Sequence, residues 1–117
     1  MNAKLKSQNF QIDENISWEY AAPGIQRQVF GFDDKIMLVK VKFEQGAIGS
    51  IHEHPHSQVS YVDSGVFELT IGEEKQILKA GDGFYATPHT LHGALCIEAG
   101  ILIDVFSPAR EDFLSAK

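Results

Sequence analysis

A chain of 117 residues and 13.0 kDa, 44% hydrophobic with eight phenylalanines, is the size of one domain with its own core. Its net charge of −6 and sequence pI near 5.2 argue against nucleic acid and anionic membranes as partners, since both reward basic patches. One cysteine, Cys96, permits no internal disulfide, and no apolar run approaches the roughly 18–20 residues of a membrane span. The basic start Met1–Lys6 leads into Ser7-Gln8-Asn9 rather than an apolar signal core, so a cytoplasmic location is expected.

In chain order the pattern is short β-rich runs broken by Gly, Asp and Pro, as in a sandwich or barrel. Residues 1–34 hold N-terminal strands, at Ile16 to Tyr20 and Ile25 to Phe30. Lys35 to Phe43 follows, with Val39, Val41 and Phe43 inward and Lys40 and Lys42 toward water. Gln58 to Val62 turns at Asp63-Ser64-Gly65 into Val66 to Ile71, where Phe67, Leu69 and Ile71 share a face. Gly72-Glu73-Glu74 closes a hairpin onto Lys75 to Leu78. Phe84 to Ala86 comes next, then Leu91 to Ile97 and Ile101 to Phe106, split by Glu98-Ala99-Gly100. Pro108 opens a short terminal helix, Arg110 to Ser115, within 108–117. The expectation is a single domain over 1–117, its barrel spanning 35–107; small antiparallel sheets of this kind close on themselves to remove their edges, and an eight-stranded jelly roll is one way to do so.

Three imidazoles and an amide fall within His52-Glu53-His54-Pro55-His56-Ser57-Gln58, and His92 stands further along. On an extended strand, residues two apart point to the same side, so His52 and His54 would share a face. Two neutral imidazoles, a third from a distant strand and a polar oxygen nearby form a set that a divalent ion would fill. His89 alternates away from His92 and reads as rim or surface. His56, after Pro55, reads as solvent-facing or as a support behind the ligands.

Asp104 interrupts the apolar run Ile101-Leu102-Ile103 and Val105-Phe106, and shares a face with Leu102 and Phe106. If that face looks inward, desolvation raises its pKa toward that of a general acid–base; otherwise it is an exposed acid on an edge strand. Arg110 either binds a carboxylate or forms an ion pair at the terminal helix. Glu111 and Asp112 suit the first turn of that helix as structural residues.

The order of these motifs resembles the cupin superfamily. Its first motif reads here as Gly46, His52-Glu53-His54, Gln58 and Gly65, and its second as Gly81-Asp82, Pro88 and His92. The resemblance implies an all-β, single-domain cupin jelly-roll barrel (a double-stranded β-helix) with one divalent metal ion, Zn, Ni, Fe or Mn, on His52, His54, Gln58 and His92. Over roughly Gly46 to Leu114, including Asp104-Val105-Phe106-Ser107-Pro108-Ala109-Arg110, the chain further resembles the small cupins of pectin and alginate breakdown. Those enzymes linearise 4,5-unsaturated uronates to keto-aldehydes. The resemblance makes Asp104 the proton shuttle, Phe106 a shaper of the pocket and Arg110 a holder of the sugar acid. An iron-dependent dioxygenase and a non-enzymatic sugar- or metal-binding cupin are the competing functions. A homodimer is expected, because Trp18, Tyr20 and Phe30 exceed what so small a barrel buries.

Overall fold

The computed structural model describes residues 5–114. Eight strands occur among them: β1 (Glu19–Ala22), β2 (Ile25–Phe32), β3 (Met37–Phe43), β4 (Ile48–His52), β5 (Ser57–Ile71), β6 (Glu74–Lys79), β7 (Gly83–Ala86) and β8 (His92–Ser107). Pairing is antiparallel throughout, in the order β1-β2-β3-β8-β5-β6, with β4 added on β8 and β7 on β5. Among the described residues no helix is long and apolar enough to cross a membrane.

The architecture hangs on two long strands that the sequence pattern divides in four. Asp63-Ser64-Gly65 and Glu98-Ala99-Gly100 read as turns, yet β5 and β8 run through them unbroken. The chain bends there by register shifts between Val62 and Ser64, Ser64 and Val66, and Val66 and Phe67. Glycine makes this possible. Gly65 has φ +85°, and a Cβ on Gly100 would sit 2.1 Å from the Ser64 carbonyl oxygen, so neither position accepts a side chain. The two long strands pair with each other, and each also serves two shorter partners, β8 pairing with β4 over its first half and with β3 over its second, β5 with β7 and then β6.

Both ends of the chain depart from expectation. The first paired strand begins at Glu19, not Ile16. Ile16 is held instead by Gln28, whose buried Nε2 donates to the Ile16 carbonyl at 2.7 Å, so a side chain replaces the ladder there. At the other end the terminal helix is only a 3-10 turn over Glu111–Phe113, too short for a fourth-residue hydrogen-bond ladder, and Ser115 to Lys117 lie outside the described residues.

Strand alternation then decides what is inside. Met37, Val39 and Phe43 point inward from β3, Phe67 and Leu69 from β5, and Leu102, Asp104 and Phe106 from β8. One apolar cluster joins Ile25, Phe43, Val62, Phe67, Leu69, Leu78, Cys96 and Leu102. A smaller one joins Met37, Val39, Phe106 and Ala109. Fully buried side chains such as Phe67 each contribute about 2–3 kcal/mol by leaving water. On the outside, Lys42 lies over the Trp18 ring at 4.3 Å and Lys40 over Phe30 at 4.9 Å, so lysine stems cover two of the three aromatics noted near the N-terminus. Tyr20 remains 72% exposed.

Candidate metal centre and active site

His52, at the end of β4, faces His92 at the start of β8, and the two are register partners. His54 is not on a strand: β4 ends at His52, and His54 occupies the connection to β5. The shared face expected from two-residue spacing is therefore produced by a bend. The rings nevertheless converge, with centroids 5.4 Å apart for His52–His54, 4.5 Å for His52–His92 and 4.8 Å for His54–His92. One ring nitrogen from each lies within 4.8 Å of the others, so the set could hold a metal ion.

The proton arrangement fits a cation. His52 Nδ1 lies 2.8 Å from the Ser50 carbonyl oxygen, His54 Nδ1 3.1 Å from that of His56, and His92 Nδ1 2.8 Å from that of Thr90. A carbonyl only accepts, so each Nδ1 carries the hydrogen and each Nε2 presents a lone pair. Burial lowers the pKa of His54 and His92, and the neighbouring His52 and Arg110 charges add to it, which keeps both rings neutral. The Gln58 amide oxygen stands 3.0 Å from His54 Nε2 and 3.1 Å from His92 Nε2. Acceptor facing acceptor is unfavourable unless a positive ion sits among them.

A buried chain fixes that amide. Gln58 Nε2 donates to Ser60 Oγ at 3.0 Å, and Ser60 Oγ donates to Asp104 Oδ1 at 2.6 Å. Gln58 and Ser60 are two apart on β5, and Ser60 is the register partner of Asp104 on β8, so alternation and pairing place all three on the inner face. With Asp104 ionised, the Ser60 hydrogen goes to the carboxylate, and the amide must turn its oxygen toward the imidazoles. Asp104 is the inward acid that its apolar neighbours foretell. Burial raises its pKa to about 6, against the opposing effects of the Ser60 hydrogen bond and the Arg110 charge.

A cavity of about 300 Å³ opens onto this set, the scale of a small-ligand pocket. His52, Gln58, His92, Asp104, Phe106 and Arg110 line it, with Arg27 and Phe113. Phe106 packs edge-on to His54 at 5.7 Å and to Phe113 at 5.8 Å. Arg110 gives Nε and Nη2 to Asp112 at 3.1 and 2.9 Å, an ion pair within the terminal turn. His56 rests half-buried against Phe106, and exposed His89 reaches Glu53 at 3.4 Å, so neither joins the cluster. Ser60 and Arg27 have no counterpart in the motif reading. Arg27 is a polar residue at an inward position of an otherwise apolar alternation, between Ile25 and Val29, and that alternation is the signal that could have found it. Ser60, between Gln58 and Val62, offers no such signal.

The cupin-domain family model matches residues 39–106, which spans β3 through most of β8 and contains all four candidate ligands. This chain belongs to the cupin family. Among solved structures the cupin is similar to an RmlC-like cupin from Shewanella frigidimarina, with a TM-score of 0.90 and 47% identity over 92% of this chain and 97% of that one. It is also similar to KdgF from a Halomonas species, with a TM-score of 0.87 and 41% identity over 92% of this chain and 99% of that one. Among curated proteins, the pectin degradation protein KdgF of Dickeya dadantii is 46% identical over 105 residues, 88% of this cupin and 96% of that protein.

Proposed function

We propose that this cupin binds one divalent metal ion and linearises 4,5-unsaturated uronates released in pectin breakdown. The observation that carries the reading is the buried carboxyl of Asp104, poised near pKa 6 and tied through Ser60 to the amide that completes the imidazole set. Similarity to a pectin degradation protein over most of both chains supports the substrate class.

The reaction is an isomerisation. The anomeric hydroxyl loses its proton, the bond from the anomeric carbon to the ring oxygen breaks as a carbonyl forms, and the enolate left at C5 becomes a ketone when C4 takes up a proton. One proton leaves and one returns, so a single carboxyl suffices. Asp104 accepts the first on its carboxylate and delivers the second, and a pKa near neutrality suits both directions. An ion held by His52, His54, Gln58 and His92 supplies Lewis acidity to substrate oxygens. Phe106 shapes the wall between His54 and the terminal turn, and Arg110 keeps positive charge on that wall. The protein acts in the cytoplasm, as a homodimer paired through the N-terminal strands around exposed Tyr20. Light scattering at tens of micromolar should give twice the chain mass, and a monomer overturns that pairing.

The deciding experiment incubates metal-loaded protein with 4,5-unsaturated galacturonate, following the absorbance of the conjugated double bond beside an oxygen electrode. Loss of absorbance without oxygen uptake is expected. Loss that requires oxygen makes the protein a dioxygenase, and no loss leaves a binding cupin.

A further inference from the structure

We propose that Arg27 on β2 is the residue that binds the carboxylate of an acidic substrate, and so sets a preference for sugar acids over neutral sugars. The identity of the substrate rests on the uronate reading above; the anion-binding role does not.

Arg27 sits between Ile25 and Val29 on the inner face of β2, opposite Val41 on β3 and Glu19 on β1. An arginine at an inward position among aliphatic neighbours is costly unless its charge is used. Its side chain reaches the same cavity as His52, Gln58, His92 and Asp104. Two contacts hold it there. Nε donates to Glu19 Oε1 at 3.1 Å, and the guanidinium lies 4.0 Å from the centre of the Phe113 ring. Neither contact uses the terminal amino groups, which make no hydrogen bond to any described residue. The end of the fork that grips a carboxylate with two parallel bonds is thus left for a ligand.

Arg110 differs in the respect that matters. It also lies over Phe113, at 4.3 Å, but Asp112 already takes its Nε and Nη2. The exchange is strong enough to hold Asp112 below the ordinary carboxylate range, the Arg110 hydrogen bonds and charge outweighing the upward effect of burial. An incoming carboxylate would have to displace Asp112 from Arg110, whereas at the terminal amino groups of Arg27 it displaces no hydrogen-bond partner among the described residues. Apolar Ile25, Val41 and Leu102 line the cavity as well, and their low polarisability strengthens an anion's attraction to the guanidinium.

The test compares metal-loaded wild type, Arg27→Met and Arg27→Lys on 4,5-unsaturated galacturonate and on its uncharged methyl ester. Arg27→Met should raise KM for the acid roughly 10- to 100-fold and leave KM for the ester within about twofold, the scale of a lost charge-assisted hydrogen-bonding pair. Arg27→Lys, which keeps the charge without the fork, should fall between. Arg110→Met should change acid and ester by the same factor. Equal losses on acid and ester in Arg27→Met, or an unchanged KM for the acid, overturn the proposal. Should wild type fail to turn over the uronate, that failure belongs to the proposed reaction, and calorimetry with galacturonate and galactose then decides the role of Arg27. Wild type should bind the acid at least tenfold more tightly and Arg27→Met should erase the difference; no difference in wild type, or one that survives the substitution, refutes it.

Discussion

The two halves of β5 and β8 are built on the same alternation and do opposite work. Where the second half of β5 meets the first half of β8, the inward positions are Phe67 and Leu69 against Cys96 and Ala94, and the interior is apolar. Where the first half of β5 meets the second half of β8, the inward positions are Gln58 and Ser60 against Phe106 and Asp104. Backbone geometry is shared, so geometry alone does not make a site. The polar half exists because each buried polar group finds a partner in the next: amide to hydroxyl, hydroxyl to carboxylate. Break one link and two groups are stranded; remove one apolar residue from the apolar half and only volume is lost.

The sharpest way to separate the halves is His54→Ala. Removing one of three convergent nitrogens should abolish stoichiometric metal loading, measured by elemental analysis, while the metal-free protein keeps its stability. Full metal retention would show that the imidazole cluster is not the site. Phe67→Ala should do the reverse, costing about 3–5 kcal/mol in denaturant unfolding through the cavity it leaves, with metal stoichiometry intact in the folded fraction. If it also strips the metal, the two halves are not independent.

Asp104→Asn is expected to slow turnover by about 100-fold and to flatten the activity limb near pH 6, since the amide keeps the shape and loses the proton. In the metal-free protein it should also alter stability. A carboxyl raised from 3.8 to about 6 binds more protons folded than unfolded between those values, so its contribution to stability falls as pH rises through that window. The whole fall is about 3 kcal/mol. His54 and His92, whose pKa values burial lowers, act oppositely, being protonated more readily in the unfolded chain. The difference between wild type and Asp104→Asn across pH 4–6.5 isolates the acid, and an identical pH profile would place Asp104 outside the proton balance. Ser60→Ala is the gentlest probe. It strands the Gln58 amide and the Asp104 carboxylate together, which should cost about 1–3 kcal/mol and raise the Asp104 pKa further. A change within a few tenths of a kcal/mol would mean that the chain is not continuous in solution.

Much of the apolar half was legible in the sequence, because Phe67 and Leu69 alternate cleanly with polar neighbours. Asp104 was legible for the same reason, as one acid on a face of Leu102 and Phe106. The continuity of β5 and β8 was not, since Asp63-Ser64-Gly65 spells a tight turn and a bulged bend with the same letters. The convergence of His52 and His54 was foreseen for a reason the structure does not use, the bend after β4 doing what strand pleating was expected to do. Ser60 was invisible because a serine in a strand carries no motif. Its importance comes from pairing with a residue 44 positions away.

All four donors gathered around the imidazole cluster are uncharged when ready to bind. An ion there would keep both of its positive charges, in a pocket that also holds two guanidinium groups and is balanced chiefly by Asp104, Glu19 and Asp112. With such an ion bound, a protein of net charge −6 would turn an electropositive mouth toward solvent, and small anions would be drawn to it. Acetate and citrate buffers should act as competitors of an acidic sugar, citrate the more strongly, where zwitterionic buffers at the same pH do not. The choice of buffer would then decide whether a sensitive assay sees the free protein or its anion-bound form.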